Sequence, residues 1–381
     1  MRMIARCWQV RTQRPIAYDV IESPHLFDPA NAALLAFGRP GGRRFVVVDA
    51  EVARHYGTTI RAFFDRHRIE ARSAVFPGGE EHKSIEAWQD ILRALDAFPI
   101  HRRDEPIIAI GGGVLTDVVA YAAASYRRGV PHLKVPTTLM GYIDAALGIK
   151  AGVSFNGNKN RLGCFEPPLA VLLDKSFLRT LPRRHLLNGV CEIIKLAIVR
   201  DAGLFAALEA HAVASVDERF QNTAGDAILD AAIGGMLEEL APNLYEEELA
   251  RKVDFGHTFS YGLEARHAHR LLHGEAVLLD ILVSVAIAER RGLLAARDVL
   301  RVFALVEELD MGLDGGLLDG AAMWRSLIDR VEHRNGLQRV PLPAGIGDCI
   351  FVNDISRAEL DAALSALRTR IRMNHEPALE R

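Results

Sequence analysis

A chain of 381 residues with 49% apolar and 25% charged side chains has the composition of a folded globular protein and enough material for two packed units. Its formal charge of −3 gives no electrostatic case for nucleic acid or an anionic membrane surface as partner. Cys7, Cys164, Cys191 and Cys349 form no CxxC pair, which excludes a thiolate metal site and fits reduced thiols in a cytoplasmic protein.

The N-terminal stretch Met1–Val20 mixes charged and apolar residues and offers no continuous apolar region for a signal peptide. From there the first half reads as alternating strands and helices. Arg44-Phe-Val-Val-Val-Asp49 is a β-rich run ending in an acid, and helical pattern follows from Glu51 to His67. A second run, Ser73–Phe76, stops at Pro77-Gly78-Gly79. A third, Pro106–Ile110, feeds Gly111-Gly112-Gly113 and then a helix over Val114–Tyr126. This alternation predicts a parallel sheet with crossover helices.

After Thr180-Leu181-Pro182 the pattern turns helical: Leu186–Arg200, Leu204–His211, Ala224–Leu240, Ala276–Arg291 and Ala295–Leu309. The run Ala276–Ala288 is interrupted by Asp280 and too short to span a bilayer, so it reads as a buried helix. The division expected is an α/β unit over residues 1–181 and an α-helical unit over 182–381, with Ile371–Arg381 as a fraying polar end.

Several segments carry chemistry. Gly111–Asp117 joins a strand to a helix, where glycines and a helix N-terminus suit a pyrophosphate; a tight turn alone is the other reading. Asp49 at a strand end can accept ribose hydroxyls, and Thr137-Thr138 after another short strand offer two hydroxyls. Gly148-Ile-Lys150 and Asn158-Lys159-Asn160-Arg161 bring cations and amides into one glycine-bearing segment, read as a phosphate or polyol loop in preference to a solvated basic loop.

Glu192 and Lys195 share one face of an otherwise apolar helix, as a structural ion pair or as functional groups. His257 (Asp254-Phe-Gly-His257) and His273 (Leu272-His273-Gly-Glu275) add two imidazoles. Two His and one Glu on neighbouring helices match the ligand set of an open catalytic zinc site.

In these segments, and in their order, the chain resembles the sugar phosphate cyclases of the dehydroquinate synthase superfamily over nearly its whole length. The matching stretches are Pro77–Glu80 with Lys83, Gly111–Asp117, Pro136–Thr138 with Asp144, Lys150, Lys159-Asn160, Leu173-Asp174 with Phe177, Thr180–Pro182, Glu192–Lys195, Gly256–Phe259 and His273–Val277. The resemblance implies a homodimer with an N-terminal Rossmann-like NAD domain and a C-terminal helical metal domain. It assigns NAD to Asp49, Glu80, Lys83, Gly112, Gly113, Asp117, Thr137, Thr138, Lys159, Phe177, Thr180 and Leu181. It assigns Zn2+ or Co2+ to Glu192, His257 and His273, and catalysis to Lys195, Lys150, Asp144 and Asn160. Arg161, Arg251, Asp280, His333 and Arg334 are expected beside the substrate, a small sugar phosphate.

The implied reaction is transient oxidation by NAD, phosphate elimination, return of the hydride, ring opening and an intramolecular aldol step, with no net redox change. Three segments depart from dehydroquinate synthase: Ser260-Tyr261 replaces Gly-His, Asp280 replaces a small residue, and Glu332–Gly336 replaces a lysine pair. They point to the branch that closes sedoheptulose 7-phosphate to a C7 cyclitol, with dehydroquinate synthase and a metal-dependent polyol dehydrogenase as alternatives. Tyr261 and Arg266 leave the stereochemistry of the product open.

Overall fold

The computed structural model describes residues 7–267 and 269–375; the rest, including the ends of both terminal segments discussed above, lie outside the described residues. The chain begins with β1 (Asp19–Glu22), β2 (Arg44–Asp49), α1 (Ala50–Arg66), β3 (Ala71–Phe76), α2 (Ile85–Ala97), β4 (Ile107–Gly111), α3 (Gly113–Ser125) and β5 (His132–Pro136). A hairpin of β6 (Lys150–Phe155) and β7 (Asn158–Phe165) precedes β8 (Ala170–Leu173). The helical half then runs α4 (Arg183–Arg200), α5 (Ala202–Asp217), α6 (Thr223–Leu240), α7 (Ser260–Arg266), α8 (His273–Arg290), α9 (Ala296–Glu308) and α10 (Gly320–His333). A second hairpin, β9 (Val340–Pro343) and β10 (Cys349–Val352), leads into α11 (Arg357–His375).

Six strands form a parallel sheet in the order β1-β8-β5-β4-β2-β3. β2 is Arg-Phe-Val-Val-Val-Asp with its first five residues buried, as expected of a strand covered on both faces. The chain moves from β2 to β3 on one side and then crosses back to β4 on the other. The β2–β4 boundary is therefore the topological switch point, where open α/β sheets bind ligands at their strand ends.

Lys150 and Asn158–Arg161 do not share a loop. They begin the two antiparallel strands of the β6–β7 hairpin, and Lys150 pairs with Phe165, which leaves it roughly 20 Å along the strand from Lys159. The turn is Asn156-Gly157, both at positive φ (50° and 73°), a combination that closes two-residue hairpins. Of the C-terminal segment expected to fray, residues 371–375 are helical. α11 reaches His375 because Leu360, Ala363, Leu364, Leu367 and Ile371 recur at helical spacing and are buried.

Pro182 stands at the N-cap of α4, after the last sheet strand. One core cluster nevertheless takes Leu139, Val171 and Leu178 from the sheet side together with α4 and α8. α8 is buried along nearly its whole length, from Gly274 to Ala288. No helix among the described residues is long and apolar enough to cross a membrane.

Candidate active site

Helices α4 and α8 bring the triad together. Gly274, at the start of α8, lies against α4 so closely that a Cβ there would sit 2.1 Å from the Asn188 carbonyl oxygen. The Gly274 amide donates to Asn188 Oδ1 at 2.6 Å. That contact sets His273 over the turn of α4 that carries Glu192. His257 arrives from the preceding loop through Gly256, whose φ of +77° and contact with Val277 both favour glycine.

The result is a compact donor set. Glu192 Oε1 is 3.7 Å from His257 Nε2 and 3.5 Å from His273 Nε2, and the two Nε2 atoms are 3.4 Å apart. Each imidazole is held from behind: His257 Nδ1 donates to the Phe255 carbonyl at 3.1 Å and His273 Nδ1 to Glu264 Oε1 at 3.1 Å. Ligating histidines in metal sites are oriented in this way, by the ring nitrogen that does not bind. Glu192 is fully buried, and neither of its oxygens has a donor in hydrogen-bonding geometry, although the Lys195 ammonium lies against Oε2. One carboxylate and two imidazole nitrogens converging at ligand spacing, with the carboxylate unsatisfied, fit a divalent cation such as zinc.

The electrostatics agree. Burial opposes ionisation of Glu192, but Lys195 and both histidines hold it well below the usual carboxylate range. Burial pushes His257 down to about 4. For His273 burial acts in the same sense, yet Glu264 and Glu192 outweigh it and raise the ring to about 10. Two carboxylates thus demand positive charge between them, which a cation supplies in place of a proton. Lys195, 3.2 Å from Asp144 Oδ2, is kept protonated by Asp144 and Glu192 against the effect of burial. Asp144 is raised, burial outweighing Lys195.

A second charge cluster lies behind His257. Asp254 is buried among Arg251, Arg330 and Arg334, at 2.6, 3.4 and 2.5 Å respectively. Burial raises its carboxyl, but the three guanidiniums outweigh burial and depress it far below the ordinary value. Arg330 Nη1 also donates to the His257 carbonyl at 3.1 Å. Arg251 and Lys150 both meet Glu246, Lys150 at 2.9 Å. Arg251 and Arg334 are therefore already engaged by carboxylates, while His333 is exposed at the end of α10. Asn160 and Arg161 are exposed on β7.

Asp280, expected beside the substrate, is fully buried with both oxygens engaged: Oδ2 accepts the amides of Phe259 and Ser260 (2.9 Å for Ser260), and Oδ1 accepts from Ser284 Oγ at 3.2 Å. It caps the first turn of α7, and burial pushes its carboxyl up to about 6 against those hydrogen bonds. Tyr261, one helical turn from His257, is 46% exposed, with its ring centroid 6.0 Å from that imidazole.

The crevice at the strand ends is built from β2, β4 and β5. Asp49 Oδ1 caps α1 by accepting the Glu51 amide at 2.9 Å, and its other oxygen faces Gly78. Gly112 forms the N-cap of α3 with no side-chain cap, so the first amides of that helix stay open to an anion. A Cβ on Gly112 would meet Thr138 at 3.1 Å, and one on Gly113 would meet Ala145 at 2.8 Å. The Thr137 amide donates to the Gly111 carbonyl at 3.0 Å. Lys83 is buried and tied to Asp117 at 2.7 Å. Thr180 hydrogen-bonds Tyr56 at 3.1 Å, and Leu181 is partly buried beside it. Phe177 is 3% exposed and its ring packs edge-on against Tyr56 and Phe27, in the wall of the crevice.

Sequence reasoning missed Glu264, Asp254, Glu246 and Arg330. Asp254 lies three residues before His257, and a carboxylate that close to an imidazole is the signal that points to it.

An α/β crevice at a sheet switch point facing a Glu-His-His centre defines a nucleotide- and metal-dependent enzyme of the dehydroquinate synthase class. Consistently, the family described as 3-dehydroquinate synthase N-terminal matches residues 73–188 and 3-dehydroquinate synthase C-terminal matches 189–329, and the chain belongs to that family. It is 48% identical to a 2-epi-5-epi-valiolone synthase of Streptomyces albus, over 94% of this chain and 90% of the relative. It is 36% identical to a demethyl-4-deoxygadusol synthase of Trichormus variabilis, over 94% of this chain and 89% of the relative. A solved 2-epi-5-epi-valiolone synthase from Streptomyces hygroscopicus subsp. jinggangensis, with NAD+ and Zn2+ bound, superposes with a TM-score of 0.92 at 44% identity, covering 95% of this chain and 100% of that one.

Proposed function

We propose that the protein cyclises sedoheptulose 7-phosphate to 2-epi-5-epi-valiolone and releases phosphate, using NAD and Zn2+ or Co2+. The observation that carries this reading is the Glu192–His257–His273 centre with the Lys195–Asp144 pair beside it, in a chain 48% identical to a synthase of that name. The high identity to that relative favours this product over 2-epi-valiolone and demethyl-4-deoxygadusol.

The cation would be held by Glu192, His257 and His273, and NAD by the crevice formed by Asp49, Gly112, Gly113, Thr137 and Thr138. Glu80, Lys83, Asp117, Lys159, Thr180 and Leu181 form its rim. When bound, the cation supplies Lewis acidity and NAD supplies reversible hydride acceptance. The chain's own groups do the rest. Lys195, kept cationic by Asp144 and Glu192, donates hydrogen bonds to substrate oxygens. Asp144, partly exposed and raised by burial, exchanges a proton with a hydroxyl on the same face. Lys150, mostly exposed at the rim, provides a donor for phosphate.

In this reading residues 1–181 carry the cofactor and 182–381 the cation, in a cytoplasmic homodimer. The test is incubation with sedoheptulose 7-phosphate, NAD+ and Zn2+ or Co2+, with the product identified by NMR. Phosphate release without NADH accumulation and a single C7 cyclitol are expected. Turnover of only the seven-carbon acid phosphate, or net NADH formation from a polyol, overturns the reading.

A further inference from the structure

Glu264 is 2% exposed, and its two oxygens address different sides of the cleft. Oε1 accepts from His273 Nδ1 at 3.1 Å, and Oε2 accepts from Lys159 Nζ at 2.6 Å. Lys159 in turn lies 3.5 Å from Glu80 Oε1, in the segment that follows β3 at the crevice. The bridge thus joins four elements distant in sequence: that segment, β7, α7 and α8. An exposed lysine–glutamate pair contributes little. This one ends on a buried carboxylate that also fixes a member of the triad, which gives it a reach that surface pairs lack.

We propose that Glu264 is a positioning residue that couples the cation centre to the nucleotide crevice, so that each ligand raises the affinity for the other. The inference rests on the reading of the triad as a cation site and of the strand ends as an NAD site. Its physical basis is shared ordering. A cation that fixes His273 fixes Glu264 with it. The same carboxylate then holds Lys159 beside Glu80, where a nucleotide meets them. Whichever ligand binds first carries part of the ordering cost for the second. Linkage makes the effect reciprocal.

The full-length protein, stripped with a chelator, is titrated with Co2+ (followed by its visible absorption) with and without NAD+. It is also titrated with NAD+ by calorimetry, with and without Co2+. NAD+ affinity is expected to rise about fivefold or more on Co2+ loading, and Co2+ affinity by the same factor on NAD+ loading. Lys159→Met abolishes that ratio while leaving Glu264 on His273; the ratio is the readout, because Lys159 itself borders the crevice. Glu264→Ala abolishes it as well and weakens Co2+ by about 10- to 100-fold. Should Glu264→Ala fail to fold, Lys159→Met carries the test alone. NAD+ affinities equal with and without Co2+, or a rise that persists in Lys159→Met, overturn the coupling and leave the site reading intact. Failure of the unsubstituted protein to bind Co2+ or NAD+ overturns both.

Discussion

Among the described residues two glutamates are fully buried, one just before a sheet strand and one on a helix of the second half, and they are treated in opposite ways. Glu105, just before β4, accepts the amides of His101 and Arg43 at 2.7 and 3.0 Å and the Arg39 guanidinium at 2.8 Å. Glu192 on α4 has no donor in hydrogen-bonding geometry and faces an ammonium and two imidazoles instead. Burial raises both carboxyls and both end up depressed, Glu105 to about 2 mainly through backbone amides, Glu192 through charge. Both are therefore anions, but only the second has lone pairs left for a ligand. A satisfied buried carboxylate holds a fold together; an unsatisfied one in a ring of nitrogen ligands is kept for chemistry.

The comparison breaks first on activity. Glu192→Gln removes the negative charge of the triad and is expected to cost more than about 100-fold in turnover, exceeding the loss that outer-shell changes give. Glu105→Gln should leave turnover of the folded protein unchanged. Thermal denaturation sharpens the point. Zn2+ at a hundred times its dissociation constant is expected to stabilise the unsubstituted chain by about 2.7 kcal/mol. Glu105→Gln should retain that increment on metal addition, and Glu192→Gln should lose it. An equal shift in both variants would place the cation elsewhere.

On stability the order reverses. Glu105→Gln forfeits charge-assisted hydrogen bonds and is expected to cost about 1.5–3 kcal/mol, read from the denaturant midpoint. The pH dependence follows from the depressed carboxyl. Its stabilisation is complete above the unfolded value of 4.5 and is lost as pH falls through the folded value of about 2. Between those limits the unsubstituted protein should lose stability faster than Glu105→Gln on acidification. Parallel acid limbs would mean that other carboxylates carry the transition.

Much of this contrast is legible in the sequence. The strand–helix alternation up to Tyr126 and the apolar helices after Pro182 follow from hydrophobic period alone. Glu192 stood out because a carboxylate on an otherwise apolar helix needs a partner. The polar partners that come from elsewhere in the chain were not legible. Glu264 sits in Leu263-Glu264-Ala265-Arg266, which reads as an ordinary solvated turn, and only tertiary packing buries it against His273. Asn156-Gly157 is a hairpin signal, yet the surrounding cations read as a loop. Register then carried Lys150 and Lys159 to opposite ends of the hairpin.

Asp280 gives the smallest effect and the most direct check on how a buried carboxylate is read. Standing where dehydroquinate synthase has a small residue, it suggests a substrate contact, whereas its oxygens cap α7 through Phe259 and Ser260. Asparagine keeps an acceptor for those amides and alanine does not. Asp280→Ala is therefore expected to cost about 1 kcal/mol, as loss of an N-terminal cap does, and Asp280→Asn less. Neither should change KM for the sugar phosphate by more than the scatter between preparations. A KM that rises tenfold in Asp280→Asn at unchanged stability would put this carboxylate back among the substrate contacts. It would also mean that α7 moves away from Asp280 when the site fills, exposing an oxygen that is now shared by two backbone amides.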